Sequence, residues 1–176
     1  MSPTHSNPYA PPQSARDPQH SEFDYVIEET AFGTRRSFVH PDGKTYREFT
    51  SHEEWAGMPL YHSTSGICPE TGKSKTAYGV FAIGRYAVGM VAIGQVSLGV
   101  VAIGQLTLGV LLGVGQLAFG STAVGQAAVG LYYGLGQFAC GYYAVGMFSL
   151  GYYARGMFAA GVVPIGKIVY RIAPFW

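Results

Sequence analysis

The side chains that usually carry catalysis or metal binding are confined to the first part of the chain. All ten Asp and Glu residues lie within the first 70 positions, and all five histidines within the first 62. The histidines His40, His52 and His62 do not have the spacing of any known metal site, with or without Glu53 or Glu54. The rest of the chain has no carboxylate to act as a general acid or base. We therefore predict a protein that is not an enzyme, with no metal, cofactor or small-molecule substrate.

Paired tyrosines and periodically placed glutamines are the remaining side chains suited to contacts. A tyrosine buries apolar area while its hydroxyl stays polar, so Tyr pairs suit an assembly surface or an aromatic belt. The same rings are equally suited to stabilising neighbouring strands. Glutamine amides hydrogen-bond along stacked strands. The candidate interface residues are Tyr132, Tyr133, Tyr142, Tyr143, Tyr152, Tyr153, Gln95, Gln105, Gln116, Gln126 and Gln137.

These side chains are positioned by a five-residue repeat over residues 77–168. Each unit has a small residue, a branched hydrophobic residue, Gly and two variable positions, as in residues 82–86, Ala-Ile-Gly-Arg-Tyr. In an α-helix a five-residue step turns by about 140°, so the glycines would define no face, and each would cost about 1 kcal/mol relative to Ala. In a β-solenoid, five residues form one facet with its corner, and Gly lies where another strand approaches closely. The pattern predicts an all-β fold.

Two single-residue insertions, near Leu112 and Tyr133, bear on the length of a coil. Residues 107–117 match residues 128–138 position for position, 21 residues later. An insertion that recurs one coil later predicts four facets per coil and about four and a half coils. Two columns of glutamine on opposed sides would result, Gln95, Gln116 and Gln137 in one and Gln105 and Gln126 in the other. A two-facet coil of ten residues is the alternative, because Gln recurs nearly every ten residues.

Strand alternation separates the small residue and Gly from the branched residue, which lies on the opposite side. We expect the branched residues to point inward and to form a dry core. If the small residues and Gly point inward instead, two sheets lie very close together and the exterior is strongly apolar. Arg155 occupies a branched position, where burial of an unpaired charge is costly. In either arrangement the exterior is unusually apolar for a soluble monomer.

The small-first facet resembles the pentapeptide-repeat family, whose fold is a right-handed quadrilateral β-helix. That family has Asp or Asn second and Leu or Phe third, whereas this chain has Ile, Val or Leu second and Gly third, so the resemblance is one of architecture. Runs such as residues 82–89 more closely resemble uncharacterised bacterial Gly-rich pentad-repeat proteins, which are often labelled membrane proteins. This resemblance covers roughly half the chain, and it implies no activity.

The remaining segments flank the repeat. Residues 1–21 are Pro-rich and predict a disordered tail. Residues 22–76 predict a small β-rich cap, with a hairpin across Pro41-Asp42-Gly43 and one helical turn that begins at Ser51. Residues 169–176 are expected to close the last coil.

Charge distribution limits the range of functions. The 69 residues from Tyr86 to Ala154 contain no Asp, Glu, Lys or Arg, and no segment has the clustered basic residues of a nucleic-acid-binding protein. The sequence predicts a structural scaffold that self-associates as a homo-oligomer or filament, or lies against a membrane surface. The alternative is a multi-pass integral membrane protein with about three spans of roughly 20 residues. No Sec signal is recognised, so we expect a membrane-associated or cytoplasmic location.

Overall fold

The computed structural model describes residues 24–172, in which all helix-or-strand structure is β-strand. One sheet contains, in spatial order, β1 (Val26–Thr30), β2 (Gly33–Val39), β3 (Thr45–Ser51), β6 (Tyr61–Ser65) and β7 (Thr76–Arg171). The short strands β4 (Glu54–Trp55) and β5 (Met58–Pro59) pair only with each other. The predicted all-β class is confirmed. The expected tail and half of the expected closing segment, residues 173–176, lie outside the described residues.

The predicted N-terminal hairpin is confirmed. Strands β2 and β3 are antiparallel, with Val39 opposite Thr45. The turn is closed by hydrogen bonds from His40 N to Lys44 O at 2.8 Å and from Gly43 N to His40 O at 2.9 Å. Gly43 has a φ of 80°, a conformation that glycine adopts without strain.

The helical turn predicted to begin at Ser51 is not formed. Ser51 is the last residue of β3, and its Oγ donates to Glu53 O at 2.9 Å and accepts from Tyr61 N at 3.0 Å. The chain then reverses through Ala56 and Gly57, with φ values of 53° and 77°. The prediction is wrong because the Ser51 hydroxyl links the two ends of a loop instead of capping a helix.

Strand β7 stacks on itself at a separation of ten or eleven residues. A Cβ built on Gly104 would collide with Gly94 O, and one built on Gly115 would collide with Gly104 O. Such close approach explains why the third position of the repeat is Gly. The observed separation is half of the twenty or so residues that the insertions suggested.

The insertions themselves have a simple geometry. The chain bulges after Gly109 and Gly130, so that a Cβ on either glycine would meet the carbonyl oxygen of the inserted Leu112 or Tyr133. The 21-residue match therefore spans two ten-residue passes plus one extra residue. The predicted four-facet coil assigns these 21 residues to a single pass. The predicted separation of neighbouring passes is therefore about twice the observed one.

The interior of the repeat region is lined by small residues, and the branched residues point outward. Ala87 and Ala92 leave at most 1% of their surface exposed, whereas Ile83 and Ile93 leave 38% and 39%. The expected core of Ile, Val and Leu is therefore wrong. From Ala77 to Ala159 the buried position of the repeat holds only small residues, mainly alanine, with Ser97, Thr107 and Ser149. Arg155 points outward and is exposed, so no buried charge arises.

The two ends of the repeat region differ. At the first end, β6 pairs in parallel with β7, with Tyr61 opposite Phe81, and Ala77 and Ala82 are fully buried. At the other end, Val169 occupies the same inward position as Ala77 but leaves 51% of its surface exposed. Within residues 24–172, no helix has the length and hydropathy to cross a membrane.

Candidate functional site

The largest candidate site is an apolar surface on the outside of β7. Val129, Cys140 and Leu150 line two neighbouring grooves of about 480 and 730 Å³ and form the ridge between them. Phe148 lies along the first groove and Tyr152 along the second. A ridge with a groove on either side is a shape that can interdigitate with another apolar surface.

Five of the six predicted tyrosines form one cluster of stacked rings. The ring centroids of Tyr142 and Tyr152 are 5.1 Å apart, those of Tyr143 and Tyr153 4.9 Å, and those of Tyr133 and Tyr143 5.2 Å. The Tyr142 and Tyr143 rings meet edge to face at 5.0 Å. Aromatic pairs of this kind contribute about 0.5–1.5 kcal/mol beyond the area they bury. Tyr132 is exposed and has no ring contact within the described residues, so the cluster does not include it.

The five predicted glutamines form a single column. Each directly follows a ladder glycine, and these glycines lie one above the other at ten- or eleven-residue separation. Arg85 begins the column, and its Nε donates to Gln95 Oε1 at 3.0 Å. All members are exposed: Gln95, Gln105, Gln116, Gln126 and Gln137. The expected two columns on opposed sides are replaced by one polar stripe along an otherwise apolar body.

Three phenylalanines form a stack that was not predicted from the sequence. Phe138, Phe148 and Phe158 lie nearly parallel, with centroid separations of 5.1 and 4.8 Å and interplanar angles of 7° and 5°. The signal is present in the sequence as Phe at every tenth position. A four-facet coil places Phe148 on the side opposite Phe138 and Phe158, so it predicts no continuous stack.

A buried ionic cluster lies between the N-terminal sheet and the repeat. Glu48 leaves 5% of its surface exposed. Its Oε1 accepts hydrogen bonds from His62 Nε2 at 3.1 Å and Lys75 Nζ at 2.5 Å. Its Oε2 accepts one from the Tyr46 hydroxyl at 2.9 Å and lies 3.6 Å from Arg36 Nη1. Both carboxylate oxygens are thus fully engaged.

The cluster keeps Glu48 ionised. Burial alone would raise the pKa of Glu48, but the hydrogen bond from His62, the charge and hydrogen bond of Lys75 and the hydrogen bond from Tyr46 together lower it to about 2. Burial and the charge of Glu48 raise the pKa of the Tyr46 hydroxyl, so it stays a donor. Nδ1 of His62 accepts a hydrogen bond from Tyr78 N at 3.0 Å and also lies 3.2 Å from Tyr78 O. The cluster therefore joins β3, β6 and the first pass of β7, which is a structural role.

His40 and His52 lie outside this cluster. His40 Nε2 is 2.7 Å from Ile67 O, and His52 Nε2 is 3.2 Å from Thr34 Oγ1. The carboxylate beside His62 is Glu48, not the sequence neighbours Glu53 or Glu54. In the described part of the chain, no three or more His, Cys, Asp or Glu side chains are grouped so as to hold a metal ion.

No family model, curated protein or solved structure matches the chain. The resemblance to Gly-rich pentad-repeat proteins accordingly stays a resemblance of sequence pattern. Function has to be inferred from the surfaces and contacts of the chain itself.

Proposed function

We propose that the chain forms a β-solenoid of ten-residue coils, each with two five-residue facets, and acts as a non-enzymatic structural scaffold. The contacts at ten- and eleven-residue separation along β7 support this arrangement. With 96 residues in β7, it has about nine coils. The N-terminal strands serve as the cap of the first coil, held to it by the Glu48 cluster.

One observation carries the functional proposal: the small residues are inside and the large apolar residues are outside. Leu98, Leu108 and Leu150 leave 45%, 54% and 50% of their surface exposed. Contiguous apolar surface of this kind marks an association site, and each leucine that becomes fully covered contributes about 1–2 kcal/mol. The scaffold associates with further copies through this surface.

A membrane surface is the second candidate for the same apolar exterior. After Thr76 the charged side chains are all cationic, namely Arg85, Arg155, Lys167 and Arg171. Cationic side chains beside exposed apolar ones suit an anionic lipid surface, where each contributes about 1 kcal/mol.

The test uses the full chain, purified without detergent, and measures its mass by light scattering. One variant carries Leu98→Gln, Leu108→Gln and Leu150→Gln, and the matched control carries Gln105→Ser, Gln116→Ser and Gln126→Ser on the polar stripe. We expect wild type and control to exceed the 18.8 kDa of one chain and the leucine variant to have a lower mass than both, with unchanged circular dichroism.

Flotation with phosphatidylserine-containing vesicles tests the second candidate on the same samples. Vesicle binding by wild type, lost in the leucine variant, supports the membrane surface. A wild-type protein that is monomeric and also fails to float with vesicles contradicts the proposed function.

A further inference from the structure

We propose that copies of the chain join end to end, with β1 of one copy pairing against the C-terminal edge of the same sheet in another copy, residues 163–167. The proposal rests on the proposed scaffold function. It adds a contact between the ends of the copies to their contact through the outer apolar surface.

The first observation is the continuity of one sheet from end to end. Its strand order is β1-β2-β3-β6-β7, and β6 pairs with the facet of β7 that begins at Phe81. β1 is therefore the edge at one end, and the last pass on that facet, residues 163–167, is the edge at the other. All five residues of β1 are exposed. An unpaired edge presents a row of backbone N–H and C=O groups that can pair with another strand.

The strand directions fit a continued sheet. β6 runs parallel to β7, and each step from β6 through β3 and β2 to β1 is antiparallel. β1 is therefore antiparallel to the passes of β7. Addition of the next copy in the same orientation would form an antiparallel pair at the junction.

The second observation is that the C-terminal end of the interior is uncovered. Ala159, in the inward position one pass earlier, leaves 3% of its surface exposed, whereas Val169 leaves 51%. Ile165, on the last pass of the sheet that contains β1, leaves 61%, and Ile168, beside Val169 on the opposite facet, leaves 57%. Among the described residues nothing covers this end, so a strand added there would bury apolar surface.

The third observation is charge complementarity, which selects a second copy as the partner. β1 carries Glu28 and Glu29, the C-terminal edge carries Lys167, and Arg171 lies at the same end on the opposite facet. Glu28 pairs with Arg35 at 3.6 Å, while the other three form no ion pair within the described residues. Two acidic edges repel each other, as do two basic edges, whereas unlike edges attract.

The expected product follows from the symmetry of this contact. Unlike ends meet head to tail, so the contact is heterologous and, where the rotation between copies does not close a ring, generates an open filament. The docking of like ends, which would stop at a dimer, is opposed by charge.

The test uses charge reversal at one end at a time in the full chain. An acidic-ended variant carries Lys167→Glu and Arg171→Glu, and a basic-ended variant carries Glu28→Lys and Glu29→Lys. We expect each variant alone to weaken assembly by at least about tenfold. An equimolar mixture should restore it, because acidic ends then meet basic ends. Arg85→Glu and Glu53→Lys, which reverse charge away from both edges, are the matched controls.

A second measurement separates docking from folding. Glu29→Lys alone leaves the Glu28–Arg35 pair intact, and it should weaken assembly without changing circular dichroism. Light scattering gives the mass of each sample, and electron microscopy shows whether the assemblies are linear.

The outcomes distinguish the two proposals. Restoration by mixing supports end-to-end pairing. Reversal variants that assemble like wild type, in the same experiment in which the leucine variant of the outer surface has a lower mass than wild type, overturn end-to-end pairing and leave the scaffold standing. A monomeric wild type that floats with vesicles overturns end-to-end pairing and supports the membrane surface. A monomeric wild type that does not float overturns both.

Discussion

Ala92 and Ile93 are adjacent in β7 and project to opposite sides of it, the alanine fully buried and the isoleucine 39% exposed. Burial in this region thus follows the size of the side chain in the opposite sense to that of most protein cores, where branched residues are inside. The consequence is a narrow interior and an apolar exterior.

Ala92→Leu should destabilise the protein more than Ile93→Gln does. Ala92 is fully buried, so the larger leucine side chain has no room there, and overpacking of this kind costs about 1–3 kcal/mol. The glutamine replaces an exposed side chain and should change the free energy of unfolding by no more than about 0.5 kcal/mol. Urea unfolding followed by circular dichroism measures both. If Ile93→Gln is the more damaging substitution, the branched residues are in the interior after all.

Ser97→Ala should stabilise the protein. Ser97 is buried in the inward column, and its Oγ has no hydrogen-bond partner among the described residues. Removing an unsatisfied buried hydroxyl should raise the free energy of unfolding by about 1 kcal/mol. Ser121→Ala is the matched control, because the Ser121 hydroxyl donates to Val110 O at 2.6 Å and its removal should give no gain. Equal effects of the two substitutions would show that Ser97 is not inside a dry interior.

Gly104→Ala should be among the most damaging small substitutions in the chain. The added Cβ would collide with Gly94 O, which belongs to the backbone of the neighbouring pass and cannot move independently. We expect a loss of about 3 kcal/mol or more. Gly72→Ala is the control: its Cβ would meet nothing within 4 Å, and only its φ of 63° is unfavourable, at a cost of about 1 kcal/mol. Thermal unfolding that ranks the two equally would contradict the close approach of neighbouring passes.

Stability should depend on pH through Glu48. Because the folded-state pKa of about 2 lies below the ordinary value of 4.5, the stabilisation by the carboxylate is complete above about pH 5 and is lost as the pH falls toward 2. Between pH 5 and pH 3, wild type should therefore lose on the order of 2 kcal/mol more than Glu48→Gln.

Asp42→Asn provides the control for this pH profile. A hydrogen bond with Lys44 lowers the pKa of Asp42, but the pair is exposed to solvent, where ion pairs contribute little. The Asp42→Asn profile should follow that of wild type. A Glu48→Gln profile that also follows wild type would mean that Glu48 is not buried in its ionised form.

The all-β class could be predicted from the sequence because it depends on local regularity. Gly at every fifth position is incompatible with a helical face, and the Pro41-Asp42-Gly43 turn specifies its own backbone conformation. Both features can be recognised in the sequence without knowledge of the residues that pack against them.

The inward face and the length of a pass could not be predicted, because they depend on distances between sheets. Alternation places Ala92 and Ile93 on opposite sides of a strand but does not say which side faces the second sheet. The contact between Glu48 and His62 could not be predicted for a related reason. Each residue occupies an ordinary strand position, and their contact depends on the pairing of β3 with β6. Gln at nearly every tenth position, and Phe at positions 138, 148 and 158, were the local signals for the correct separation.

The stacking of β7 on itself every ten or eleven residues underlies all of these inferences, and oxidative cross-linking tests it directly. In a background with Cys68→Ser and Cys140→Ser, one variant carries Gln116→Cys and Gln126→Cys, and the other carries Gln116→Cys and Gln137→Cys. Neighbouring strands lie about 4.8 Å apart and second neighbours about 9.6 Å, and a disulfide needs Cα atoms closer than about 7 Å. We predict rapid intramolecular cross-linking of residues 116 and 126 and none of residues 116 and 137. Cross-linking of 116 with 137 but not with 126 would establish a twenty-residue coil and contradict the account.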